Sequence, residues 1–193
     1  MAGSPFQNLD GFYRKRLLWI FGVLTVLLLV VLRWVDGFLI TEETPDGIVG
    51  FELVKNIHDA RIMMDVWGDT GRIAAGFSLG IDYLFLISYS IFLGLVSFEL
   101  GRKFEGRLRL LSKGGYFFSW LILVAGFYDA IENIALLKIL TGCQLSIWVI
   151  TAWFFATVKF AIVFLLLGYI ALSFIFLLIL PKENDRSILP NSG

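Results

Sequence analysis

Residues 127–133, Phe127-Tyr128-Asp129-Ala130-Ile131-Glu132-Asn133, place polar side chains inside a run that otherwise has the composition of a membrane span. Asp129, Glu132 and Asn133 are three and four residues apart, so they share one face if the segment is helical. Carboxylates are costly to place in hydrocarbon and seldom face lipid. The spacing therefore predicts a polar face that meets partners from elsewhere in the chain.

The composition around this stretch is that of a membrane protein. The chain has 193 residues, of which 58% are hydrophobic and 19 are Phe, whereas a soluble domain is about 45–50% apolar. We therefore expect an all-α polytopic membrane protein with a single transmembrane domain over residues 1–193. A formal net charge of zero provides no basic field for nucleic acid, and nucleic acid is not expected as a partner.

The single cysteine and the single histidine exclude several kinds of site. Cys143 alone cannot form an internal disulfide or a cysteine-based zinc cage. His58 alone excludes paired histidine ligation of haem or metal within one chain. No organic cofactor is expected.

Four apolar stretches predict a four-helix transmembrane bundle, with spans at about 17–35, 73–100, 114–140 and 145–180. The last stretch would extend roughly 54 Å as a helix, against a hydrocarbon core of about 30 Å. Lys159 divides it and Pro181 ends it. Residues 1–13 are polar and are predicted to be frayed or to lie on the membrane surface.

Residues 36–72 form the main polar connection, with eight acidic and three basic residues. Thr44-Pro45-Asp46-Gly47 is a turn signal, after which apolar residues recur at heptad-like spacing. This pattern predicts an amphipathic helix over about 50–67 that lies on the membrane surface or caps the bundle.

The basic residues set the expected orientation. Arg14, Lys15 and Arg16 flank the first span, and five basic residues lie within 101–113, between the second and third spans. Basic residues at span ends favour the cytoplasmic side. We therefore expect both termini and the 101–113 loop in the cytoplasm and residues 36–72 outside.

Helical rise then gives a depth for the polar residues within the spans. Counted from basic anchors, four positions come roughly 25–35 Å from the cytoplasmic surface, at the outer edge of the hydrocarbon. These positions are Arg33, Asp82, Glu132 and Lys159, counted from Arg16, Arg102, Lys113 and Lys182. The counts predict one polar layer.

This layer is the candidate site. We expect Asp82, Asp129 and Glu132 to be the acid–base groups, with Lys159 as the compensating cation. Other residues expected to contribute to binding are Asn133, Tyr89, Glu52, Arg33 and His58. Such a set fits a general acid and base, a proton carrier, or a divalent metal held by Asp82, Asp129 and Glu132.

Plainer interpretations fit the same residues. A buried network that only fixes helix register would contain the same carboxylates. Lys159 would also reach the outer headgroups by snorkelling. His58, on the polar side of the amphipathic helix, would be an ordinary solvated side chain.

Three short motifs carry a resemblance to a family. They are Gly50-Phe51-Glu52-Leu53, Asp82-Tyr83-Leu84-Phe85, and Asp129-Ala130-Ile131-Glu132-Asn133. Together they resemble a group of bacterial four-span integral membrane proteins, over roughly Pro45 to Leu137. The resemblance implies a bacterial cytoplasmic (inner) membrane. It implies no substrate, because the group has no established activity.

Three classes of function remain open. We favour a ligand-binding or structural membrane protein, with membrane lipids, a second copy or a larger membrane complex as partners. The alternative is a membrane enzyme that acts on a lipid or lipid-linked substrate by carboxylate acid–base or metal chemistry. A small proton- or ion-coupled transporter ranks last, because polar residues below the layer are few and no internal repeat is evident.

Overall fold

The computed structural model describes residues 4–180, and within them the chain is all-helical. Its elements are α1 (Gly11–Asp36), α2 (Gly47–Leu53), α3 (Ile57–Lys103), α4 (Arg109–Leu140) and α5 (Ser146–Ile179). Four of them, α1, α3, α4 and α5, are long and apolar enough to cross a membrane, which indicates a membrane helical bundle. The predicted roles of Pro181 and Lys182 lie outside the described residues.

Helix α3 is the centre of the bundle, and small residues let α4 approach it closely. A Cβ at Gly115 would lie 2.5 Å from the Cα of Gly101, and one at Gly126 would lie 3.1 Å from the Ser90 side chain. Such contacts between small residues are the usual basis of close helix packing in membranes. Helix α5 packs mainly on α4, and α1 packs mainly on α3.

Two apolar clusters fill the bundle at different heights. One contains Leu79, Leu136 and Val149, and the other contains Leu86, Ile122 and Leu166. On each of α3, α4 and α5, a stretch with buried or half-buried charged groups separates the two clusters; these groups include Asp82, Asp129 and Lys159. The bundle therefore has a polar layer between two apolar cores.

The helix predicted over 50–67 is interrupted in the structure. Helix α2 ends at Leu53, and Asn56 begins α3 by accepting a hydrogen bond from the Asp59 backbone N–H at 2.8 Å. Helix α3 then kinks at Gly68, whose φ of 58° is readily adopted by glycine. The second span therefore belongs to a longer helix than the predicted 73–100.

Helix α2 is fixed against the end of the bundle. The indole N–H of Trp67 donates to the Leu39 carbonyl at 2.9 Å, and the Phe51 ring lies 5.2 Å from the Trp67 ring. Asp36, at the end of α1, accepts a hydrogen bond from the Ile48 backbone N–H at 2.8 Å. These contacts hold α2 so that its Glu52 side chain reaches the polar layer.

The N-terminal segment differs from the prediction of a frayed or surface-lying end. Phe6 is only 8% exposed, and a Cβ at Gly94 would lie 2.9 Å from its ring. Arg14 is also buried, with its Nε 2.7 Å from a carboxylate oxygen of Glu99. Residues 4–10 therefore pack into the bundle, because an aromatic side chain fills the groove beside a glycine of α3.

Candidate functional site

Lys159 is the centre of the polar layer. It lies within α5 and is only 7% exposed. Its Nζ is 2.8 Å from Oδ1 of Asp129, 2.8 Å from Oε2 of Glu132 and 3.6 Å from Oε2 of Glu52. The lysine is thus paired with carboxylates inside the bundle and does not snorkel to a surface.

Helix α4 supplies three of the polar groups. Asp129, Glu132 and Asn133 are 2%, 0% and 1% exposed, and all three are turned into the bundle. Residues that are three and four apart lie on the same face of a helix, so all three side chains meet the same neighbouring helices. They contact Lys159 from α5 on one side and α3 on the other.

Helix α3 supplies an acceptor and a donor two turns apart. Asp82 accepts a hydrogen bond from the Asn133 side-chain amide at 2.7 Å. The Tyr89 hydroxyl donates to Oδ2 of Asp129 at 2.9 Å. Both oxygens of Asp129 are therefore used, one by Lys159 and one by Tyr89.

Glu52 enters the layer from α2, outside the four long helices. Burial raises the pKa of its carboxyl, and the nearby Asp129 raises the pKa further. The positive charge of Lys159 opposes this rise but does not cancel it. Glu52 therefore has a stronger tendency to hold a proton than an exposed glutamate.

Glu132 has an unusual environment for a carboxylate. It is wholly buried, and Oε1 accepts no hydrogen bond from any side chain or backbone group within residues 4–180. Leaving such an oxygen without a donor costs about 1–3 kcal/mol or more for a charged group. Three carboxyl groups from α2 and α4 lie within 3.6 Å of one ammonium group, so the cluster contains more acceptors than donors.

A cavity of about 280 Å³ lies beside this cluster. Its polar lining comes from Glu52, Ser78, Asp82, Tyr89, Asp129 and Lys159. Its apolar lining comes from α1, α2, α3 and α5 and consists of Leu29, Leu32, Ile48, Val49, Leu79, Phe85, Phe160 and Val163. Leu29 is 54% exposed on the outside of the bundle, so the cavity extends from the carboxyl groups to an exposed apolar edge between α1 and α5.

Arg33 and His58, which the sequence placed near the site, lie elsewhere. The Arg33 side chain is 73% exposed and pairs with Asp36 at 2.8 Å. Counting residues gives a depth along a helix but not a direction around it, and Arg33 points away from the cavity. His58 is exposed in the first turn of α3, because that helix begins at Ile57 with the histidine on its outer side.

Several lining residues were missed by the sequence reasoning. Ser78 lies one turn before Asp82 on α3, and the spacing of Ser78, Asp82 and Tyr89 was a signal that could have identified it. Leu29 and Leu32 carried no such signal. On an apolar helix, the residues that line a cavity resemble those that face lipid.

The carboxylates are not arranged around a metal position. No group of three or more His, Cys, Asp or Glu side chains in the described part of the chain is placed to hold a metal ion. Between Asp129 and Glu132 lies the Lys159 ammonium group, which repels a cation at that point. The suggestion of a divalent metal held by Asp82, Asp129 and Glu132 therefore receives no support from the geometry.

Comparison of the chain with protein-family models, curated proteins and solved structures gives no match. The resemblance to a bacterial four-span group therefore stays a prediction. The chemistry of the site must be inferred from its own residues.

Proposed function

We propose that this protein binds an amphiphilic ligand within the membrane. The polar end of the ligand would lie beside Glu52, Asp82 and Lys159, and its apolar end would lie between α1 and α5. The observation that supports this proposal is the cavity, which joins buried charged groups to an exposed apolar edge. Ligand pockets commonly combine a mostly apolar lining with a few convergent polar groups.

The packing of α1 favours entry of the ligand into the cavity from the membrane. Helix α1 packs mainly against α3, and most of its apolar side chains are exposed. In the membrane these side chains contact lipid, so a lipid-like molecule reaches the edge lined by Leu29 and Leu32 by lateral diffusion. A water-soluble ligand would have to cross that apolar edge.

The proposed topology places the site near the outer surface of a bacterial cytoplasmic membrane. The acidic residues of 36–72 and the basic residues of 101–113 lie at opposite ends of α3, which favours a cytoplasmic 101–113 loop and cytoplasmic termini. In this arrangement α2 and the first turns of α3 form an extracytoplasmic cap. Glu52 then closes the cavity from the outside.

A second candidate function is acid–base catalysis on a lipid or lipid-linked substrate. The Glu52 carboxyl group favours it, because this group lines the cavity and burial raises its pKa, so that it holds a proton that it can transfer. Asp82, which lines the cavity, would then be the second carboxyl group. Turnover of the bound amphiphile would distinguish this function from binding alone.

The binding proposal can be tested by filling the apolar edge of the cavity. Leu29→Trp places an indole where the ligand chain would lie, whereas Leu165→Trp changes an exposed leucine of α5 that does not line the cavity. Native mass spectrometry of the purified proteins measures co-purified amphiphiles. We expect Leu29→Trp to lose the bound species and Leu165→Trp to keep it; equal retention by both variants would contradict the proposal.

A further inference from the structure

We infer that the polar end of the ligand is an ammonium group, so that the protein takes a cationic amphiphile. This inference rests on the proposed function and adds the chemical class of the headgroup. It follows from the charges that face the cavity, from the pairing of Lys159 and from the unpaired oxygen of Glu132.

The cavity wall presents more carboxyl groups than cationic groups. Glu52, Asp82 and Asp129 line it, against one cation among its described lining residues, Lys159. In addition to Lys159 and Tyr89, the Asn133 amide is a hydrogen-bond donor of the cluster, and it already donates to Asp82. Headgroups that donate hydrogen bonds therefore complement this wall better than headgroups that accept them.

Lys159 is not available to an anion. Its Nζ already lies 2.8 Å from Asp129 and 2.8 Å from Glu132. A phosphate or carboxylate headgroup would have to displace one of these partners, and it would then lie beside the displaced carboxylate. Like charges in a site of low dielectric constant repel strongly, so the geometry disfavours an anionic ligand.

The unpartnered Glu132 oxygen shows that the acceptors of the cluster outnumber its donors, although Glu132 itself does not line the cavity. Oε1 is wholly buried and unpartnered within the described residues, although Lys159 lies beside Oε2. One ammonium group thus does not satisfy the carboxylates around it. A second ammonium beside Asp82 and Glu52 would supply up to three further N–H donors and a compensating charge.

The rest of the lining fits an alkylammonium rather than a small free amine. Phe85 and Phe160 lie at the polar end, and aromatic faces attract ammonium groups; Lys159 Nζ itself lies 4.8 Å from the Phe160 ring centroid. Beyond them, Leu29, Leu32 and Val163 offer an apolar path to the membrane. The ammonium can come from a single-chain amine or from an aminophospholipid.

Three probes with the same chain separate the headgroup chemistries: hexadecylamine, hexadecanol and palmitate. Each is titrated into the detergent-solubilised full-length protein, and binding is measured by native mass spectrometry. We expect hexadecylamine to bind at least about tenfold more tightly than the other two. Preferred binding of hexadecanol or palmitate would overturn the ammonium inference and leave the amphiphile proposal intact. If Leu29→Trp bound all three as the parent does, the amphiphile proposal itself would fail.

Asp82→Asn tests the residue that should contact the ammonium. The change keeps the shape of the side chain and an acceptor for Asn133 but removes the charge, so hexadecylamine should bind at least about tenfold more weakly. The exposed Asp69→Asn is the matched control and should bind as the parent does. If Asp82→Asn does not fold, Glu52→Gln gives the same comparison from α2. Unchanged amine binding in the folded variant would overturn the inference.

A competition experiment identifies the source of the ammonium. Vesicles of phosphatidylethanolamine or of phosphatidylglycerol are added to protein loaded with hexadecylamine. Displacement by phosphatidylethanolamine alone assigns the site to an aminophospholipid, and displacement by neither lipid assigns it to a single-chain amine. Displacement by phosphatidylglycerol would contradict the inference, because that lipid carries no ammonium.

Discussion

The ammonium nitrogen of Lys159 lies 2.8 Å from Oδ1 of Asp129, which is 30 residues earlier in the chain. This contact joins α5 to α4 in the middle of the bundle, where both side chains are buried. Each group is a charge that the protein interior tolerates only when it is paired. The same ion pair therefore stabilises the packing of α4 against α5 and forms part of the candidate site.

Lys159→Met should strongly destabilise the protein. Removing one partner of a buried ion pair typically costs about 3–5 kcal/mol, because the other charge stays buried and uncompensated. Here two carboxylates, Asp129 and Glu132, would lose their close cation. Denaturant unfolding in detergent measures the loss, with the exposed Lys138→Met as the control. Equal stability of the two variants would mean that the Lys159 pair contributes little.

Glu132→Gln should be tolerated better than Asp129→Asn. Asp129 receives hydrogen bonds from both Lys159 and Tyr89, whereas Glu132 has one close partner and a bare oxygen. A glutamine at 132 keeps the shape and introduces N–H donors beside Glu52, so we expect a change within about 1 kcal/mol of the parent. Thermal unfolding compares the two variants. The opposite order would show that Glu132, not Asp129, is the main partner of Lys159.

The raised pKa of Glu52 predicts that the free energy of unfolding depends on pH. Burial raises the pKa of Glu52 in the folded protein, so the folded state holds this proton more tightly than the unfolded state does. The contribution of Glu52 to the free energy of unfolding is fully present below its unfolded pKa of about 4.5, and it is lost as the pH rises through its folded pKa. The groups that face Glu52 are Lys159 from α5, Asp129 and Glu132 from α4, and Asp82 from α3.

The Glu52→Gln variant should lack this contribution, because glutamine does not titrate. Relative to that variant, the parent should lose stability between acidic and neutral pH. The exposed Glu43→Gln should follow the parent at every pH. A parent protein that gained stability relative to Glu52→Gln as the pH rose would show that Lys159 keeps Glu52 ionised.

Ser78→Lys tests the cation preference of the cavity without any ligand. Ser78 is buried and lies one turn from Asp82, so a lysine there would bring its own ammonium to the carboxylates. A buried lysine without partners ordinarily costs several kcal/mol, but we expect Ser78→Lys to stay within about 1 kcal/mol of the uncharged Ser78→Met. Ala75→Lys, one turn earlier among apolar residues, is the control that should unfold easily. Equal losses of stability at both positions would contradict the inferred preference of the cavity for a cation.

The sequence predicted the polar layer because helical rise is constant. Counting from basic anchors placed Asp82, Glu132 and Lys159 at one level, and the structure brings them together. The same counting failed for Arg33, because it gives depth but not direction around the helix. The sequence thus supplied the level of the site but not every residue that faces it.

Other features depend on tertiary contacts that local patterns do not encode. The cap residue Asn56 was a visible signal for the break between α2 and α3, yet the heptad-like spacing favoured one continuous helix over 50–67. That predicted helix ends beside Gly68, where α3 kinks. The burial of Phe6 depends on a groove beside Gly94, more than 80 residues away. The cavity edge at Leu29 depends on which face of α1 packs against α3.

The most direct test of the account is an experimental density map of the protein in lipid nanodiscs. We predict that Asp82, Asp129 and Lys159 meet at one level, and that elongated density lies in the cavity with its polar end within hydrogen-bonding distance of Asp82 and its chain between Leu29 and Val163. A map in which these three charged residues lie at different levels, or in which side chains close the cavity, would contradict the account.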